Sequence, residues 1–178
     1  DTLELAKKLP QLERVLAKGY EVLYFTDRVD EFMIRIMQQY DDIPFKSVSQ
    51  GDLDLDSEEE KKAREELEKD NGSLLEKLKE ILKDQVADVK LSSHLTDYPV
   101  CLSAEEGLSF GMEKTLADLP ETAGGKMKAG RVLEINPENA LFDALRKIHE
   151  NDPDKLEDYG HLLFDQALLI EGFPLEDR

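Results

Sequence analysis

A chain of 178 residues with 41 Asp and Glu against 23 Lys and Arg carries a formal net charge of −18. That length fits one ordinary domain or two small ones, and 40% hydrophobic residues are enough for a buried core, which excludes wholesale disorder. The negative excess argues against nucleic acid and anionic membrane surfaces as main partners.

In chain order, residues 2–18 read as a helix with Leu3, Leu5, Leu9, Leu12, Val15 and Leu16 as its apolar positions. Pro10 should kink or divide it, because proline lacks an N–H and clashes with the preceding turn. Gly19 stops it, and Tyr20–Phe25 is a short β-prone run. Thr26 or Asp27 caps a second helix in which Val29, Phe32, Met33, Ile36, Met37 and Tyr40 share a face. A second extended run, Phe45–Val48, follows Pro44, so the first fifty residues suggest a small α/β layer with parallel strands. Residues 51–70 differ: fourteen of twenty are charged, ten acidic and four basic, so this stretch reads as a linker or solvated helix.

The second unit opens at Ser73, a natural N-cap, with Leu74, Leu75, Leu78, Ile81 and Leu82 striping one face. Three β-like runs follow, Val86–Leu91, Val100–Ser103 and Arg131–Ile135. Between the last two lie a helical stretch over 108–119 and a segment, 123–130, whose glycines suggest flexibility. Asn136-Pro137 opens a helix with Leu141, Ala144, Leu145 and Ile148 on one face, and Asn151-Asp-Pro153 breaks it. A last helix runs from Lys155 to Glu171 and closes at Gly172. The expected fold is α+β: a small α/β layer over about the first fifty residues, the charged stretch as linker or solvated helix, and a three-stranded sheet with helices from about Ser73 onward.

Several chemical motifs fail on inspection. Asp52-Leu-Asp54-Leu-Asp56 imitates a calcium loop, but Ser57 stands at the sixth place and Ala63 at the twelfth, where Gly and Glu are required. Gly125-Lys126 resembles the end of a phosphate-binding loop, yet Pro120 replaces its first Gly and Met127 the magnesium-holding hydroxyl residue. Asn71-Gly-Ser73 is only formally a glycosylation acceptor. His94, His149 and His161 lie too far apart for metal-ligand spacing and read as surface or capping residues. Cys101, inside an apolar run, reads as a buried inert thiol. Being the single cysteine, it excludes an internal disulfide framework and points to a reducing, cytoplasmic compartment. No stretch has the ~18 apolar residues of a membrane span. The chain starts Asp1-Thr-Leu-Glu4 without Met or a signal-like segment, which suggests a piece of a longer protein. No catalytic residue, cofactor site or metal site is nominated.

Two apolar surfaces remain. Leu108, Met112, Leu116 and Leu119 follow one helical face, with Phe110 displaced from it, and form a candidate sticky surface or an inward-packed stripe. Leu162, Phe164, Leu168 and Leu169 widen the apolar surface of the last helix beyond the usual stripe, as expected for a helix buried on several sides, one of them against a partner subunit.

Tyr20-Glu-Val-Leu-Tyr-Phe-Thr-Asp27 with Asp30-Glu31, then Leu95-Thr-Asp-Tyr-Pro-Val-Cys101, strongly resemble the heat shock protein 90 chaperones. So do Leu133-Glu-Ile-Asn-Pro137 and Leu163-Phe-Asp-Gln-Ala-Leu-Leu169, leading into Gly172-Phe-Pro-Leu-Glu-Asp177. The wording is nearest to the bacterial branch. The resemblance implies that 1–54 ends the middle domain, that 55–72 is a junction, and that 73–178 is the C-terminal dimerisation domain, truncated before its last helix. It implies a stress-response chaperone for protein folding, a cytoplasmic homodimer that binds unfolded or partly folded clients and uses ATP with magnesium. The nucleotide site would lie upstream, so this stretch itself is expected to be neither an ATPase nor to hold a cofactor. Leu108, Phe110, Met112, Leu116 and Leu119 become client-binding candidates by resemblance. Leu162, Phe164, Leu168 and Leu169 become dimer-interface candidates within a helical bundle. The other reading is a purely structural dimerisation module with no client surface.

Overall fold

The computed structural model describes residues 3–51, 53–117 and 127–175, and these form an α+β fold with two small sheets. The first helical stretch is divided where proline demands it, into α1 (Leu3–Ala6) and α2 (Leu12–Ala17). Gly19 leaves α2 with φ +79°, a conformation costly for any side chain. Helix α3 (Arg28–Met37) starts as expected at Asp27, whose backbone N–H donates to Asp30 Oδ2 at 2.9 Å.

The expected parallel layer does not form. Neither Tyr20–Phe25 nor Phe45–Val48 is a strand; instead β1 (Gln39–Tyr40) and β2 (Ile43–Pro44) make an antiparallel hairpin. Its two-residue turn, Asp41-Asp42, has φ of 49° and 62°, the twist a tight hairpin needs. β-propensity expresses packing on a half-buried surface. Tyr20, Leu23 and Phe25 are exposed, so that reward is absent here.

The charged stretch is helical: α4 (Glu58–Asp70) opens on a capping box between Ser57 and Glu60. Helix α5 (Gly72–Ile81) starts after Asn71, two residues earlier than the Ser73 cap read from sequence. The Asn71 carbonyl accepts from both Leu74 and Leu75, while its N–H closes α4 onto Leu67, so a single residue joins the two helices.

Strands β3 (Asp88–Leu91), β4 (Val100–Ala104) and β5 (Arg131–Ile135) form the main sheet in the order β3-β5-β4. β5 runs parallel to β3 and antiparallel to β4. Val89, Leu91, Val100, Leu102, Leu133 and Ile135 face the principal core with Leu74, Leu78 and Leu82. Helix α7 (Ala140–Asn151) adds Phe142 and Leu145, and α8 (Leu156–Ile170) adds Leu156, Leu163, Phe164 and Leu168. Each such side chain removed from water contributes about 1.5–3 kcal/mol before entropy is counted. Asn139, not Asn136-Pro137, caps α7, accepting from the Leu141 N–H at 3.0 Å. Asn136 is buried and donates to the Thr96 and Tyr98 carbonyls, and Ala144, expected on the inner face, is exposed. Gly160 lets α8 approach α5 closely, since a Cβ there would stand 3.3 Å from Leu78. Among the described residues, no helix is long and apolar enough to cross a membrane.

Residues of the first unit are bound to this sheet. Gln11 Nε2 donates to the Leu102 carbonyl at 2.7 Å, Thr96 N–H donates to Glu13, and residue 50 bridges to Ala104 beside β4.

Candidate functional site

Helix α6 (Phe110–Ala117) carries most of the client-contact candidates. Ser109 Oγ accepts from the Met112 N–H at 3.1 Å and donates to Glu31 of α3 at 2.8 Å. Gly111 permits that approach, for a Cβ at this position would run into the Glu31 carboxylate. The apolar side of α6 is turned inward. Phe110 and Met112 are 4% and 5% exposed, Leu108 packs against the core, Leu116 is half-buried, and Leu119 lies outside the described residues. Part of the 123–130 segment, 123–126, also lies outside them.

Phe110, which the periodicity put off the stripe, is the anchor. Its ring stands edge-on to Phe173, centroids 5.4 Å apart, and the Arg131 guanidinium lies 4.7 Å over the Phe173 ring. Glu113 is buried with it, accepting from Arg131 and from the Ala129 N–H, both at 2.7 Å. Lys114 donates to the Glu171 carbonyl, and burial pushes the lysine pKa below its ordinary value. The corresponding Glu171 carboxyl is raised, chiefly by burial, against the hydrogen bond from Gln11 and the charge of Lys114.

The four seam candidates on α8 divide in two. Phe164 and Leu168 are in the core, whereas Leu162 and Leu169 are 61% and 58% exposed. These two are seven residues apart, hence on one face two turns along, with the partly exposed Tyr159 nearby on the helix. The pattern of a helix apolar nearly all round thus separates into a core side and an uncovered side.

The second face of the main sheet holds an arrangement that sequence reasoning missed. Because Leu133 and Ile135 point into the core, Glu134 points the other way, and the register sets Lys90 of β3 and Cys101 of β4 directly beside it. Glu134 is fully buried. It accepts from Ser103 Oγ at 2.6 Å and Ser92 Oγ at 3.1 Å, and Lys90 Nζ lies 3.2 Å away. His94, expected at the surface, is 1% exposed. Its Nε2 sits 3.0 Å from Glu134 Oε2 without the alignment of a hydrogen bond, and its Nδ1 meets Ser93 Oγ. Burial pushes the Glu134 carboxyl up, but His94, Lys90 and Ser103 outweigh it and hold the pKa at about 2. Cys101 is buried, as its apolar run suggested, and burial raises its thiol pKa well above the ordinary value. The available signal was a lone acid inside Val-Leu-Glu-Ile; what it paired with was not local.

The chain matches the Hsp90 protein family over residues 1–178. The chain belongs to the Hsp90 family. It is 45% identical over 177 residues to the chaperone protein HtpG of Bacillus subtilis, and 48% identical over 174 residues to that of Clostridium perfringens. HtpG of Shouchella clausii is 47% identical over 174 residues. These alignments cover 98–99% of this chain but 27–28% of the relatives' length.

Proposed function

We propose that this chain is the self-associating part of an Hsp90-type chaperone, joining two copies through the uncovered face of α8. The carrying observation is the exposed Leu162 and Leu169 pair on a helix whose opposite side is fully buried. Two such faces packed together remove apolar surface from water without disturbing the core. ATP turnover with magnesium and the holding of unfolded clients belong, on this reading, to the longer cytoplasmic protein. Pairing two copies would double the client surfaces at high effective concentration.

The inward packing of Phe110 and Met112 favours a chiefly structural role for α6 over direct client contact. Sedimentation equilibrium across a wide concentration range tests the pairing. The wild-type chain is expected to self-associate and Leu162→Glu/Leu169→Glu to sediment as a monomer with an unchanged fold. A wild-type monomer at every concentration removes the proposal.

A further inference from the structure

Neither self-association nor client contact uses the buried row on the second face of the main sheet. We propose that His94, Cys101 and Glu134 form a binding site for one thiophilic divalent cation of the zinc class. Cys101 on β4 is the register partner of Glu134 on β5, so a thiol and a carboxylate meet side by side, and His94 reaches them from the loop after β3. One ligand atom from each of the three lies within 4.8 Å of the others. All three residues are buried, and His94 Nε2 points into the cluster with no aligned hydrogen-bond partner.

Imidazole nitrogen, thiolate sulfur and carboxylate oxygen together are zinc-type donors; a thiolate disfavours calcium and magnesium, which take oxygen. Tetrahedral bonds of about 2.0–2.3 Å set donors roughly 3.3–3.8 Å apart, so the cluster must contract by up to about 1.5 Å. The loop bearing His94 supplies that movement more readily than the paired strands. Three protein ligands leave a fourth position for water. Ser92 and Ser103, already bonded to Glu134, would hold the carboxylate in an outer layer. The resident competitor is the Lys90 ammonium, which is partly exposed and can withdraw into solvent. Binding exchanges the thiol proton for the metal: the S–H bond breaks, the sulfur pair forms the S–metal bond, and the proton leaves to water. The dication is then balanced by one thiolate and one carboxylate.

Cobalt(II) added to the metal-free 178-residue chain is the direct probe. One equivalent is expected to give a thiolate-to-cobalt charge-transfer band with tetrahedral visible bands, and zinc is expected to displace it. Cys101→Ser is expected to lose the charge-transfer band, and Lys90→Met, which keeps the stem and removes the competing charge, to bind more tightly. Circular dichroism verifies that each variant is folded; if Cys101→Ser is not, His94→Gln replaces it and is expected to alter the visible bands. A folded wild-type chain without the band overturns the proposal. So does a cobalt spectrum unchanged by the substitutions, which marks scattered binding by surface carboxylates.

Discussion

Glu134 stands between Lys90 and Cys101 in the cross-strand row with no side-chain surface left to water. Its charge is held there by two serine hydroxyls, an ammonium and an imidazole, so removing it leaves those groups facing one another in a dry site. Glu134→Ala is therefore expected to cost about 3–5 kcal/mol in urea unfolding, the range for breaking a buried charge pair from one side. The pH dependence follows from the depressed pKa. A carboxyl at about 2 in the fold and at its ordinary 4.5 when unfolded stabilises fully above 4.5, and this stability is lost as pH falls toward 2. Acid unfolding followed by circular dichroism should lose that component in Glu134→Gln. An acid limb identical in the variant would show that other carboxylates set it. His94 and Glu134 were illegible as a pair because forty residues separate them and no spacing rule links a strand to a distant loop.

At the scale of elements, α6 and α8 both read as amphipathic, yet only tertiary packing decides which side each buries. In α6 the periodic stripe chose Met112 correctly as apolar and left open whether it faced in or out; Phe110, off the stripe, became the anchor because Phe173 and Arg131 cover it. Met112→Ala is thus expected to cost about 2–5 kcal/mol, as for other buried large-to-small changes, and to lower the melting temperature. A loss under ~0.5 kcal/mol would mean that the side chain spends its time in solvent. In α8 the heptad-spaced Leu162 and Leu169 stand out, while Phe164 and Leu168 serve the core. Helix α3 presents the opposite case: Val29, Phe32 and Ile36 follow a clean apolar face, and all are exposed, Ile36 by 85%. Periodicity named the face and could not name its cover.

Across the whole molecule, Arg14 links the first unit to the second. It donates to the Ser93 carbonyl at 2.7 Å and pairs with Asp56 at 2.8 Å, a buried carboxylate also held by Arg64. With Gln11 and Glu13 bonded to the sheet and its loops, the segment before α4 is held beside the second unit rather than left as a free tether. Arg14→Ala is expected to lower stability by about 1–3 kcal/mol through the orphaned partners, with α2 and the sheet still unfolding in one transition by far-ultraviolet circular dichroism. A sheet transition left in place by the substitution would mean that the two units are energetically independent. Charge density marked residues 51–70 as a boundary; it reports solvation and is silent about Asp56, whose buried carboxylate holds Arg14, and about Glu171, which accepts from Gln11.

The sequence by itself marked the stops at Pro10, Gly19, Pro153 and Gly172, because these residues act on their own backbone within a turn, whereas α3 ends at Met37, short of the Tyr40 that periodicity assigned to it, and Tyr40 enters β1. It also located the three strands of the main sheet and carried the Hsp90 resemblance in short motifs. Tertiary structure alone decided that the last strand lies in the middle of that sheet, that α6 faces inward, and that only half of the apolar surface of α8 is left uncovered. Caps and breakers are local, worth about 1 kcal/mol for a cap or glycine and about 3 kcal/mol for a proline inside a helix. Pairing and burial depend on which distant surface arrives, so the same apolar stripe reads alike whether it is core or open to water.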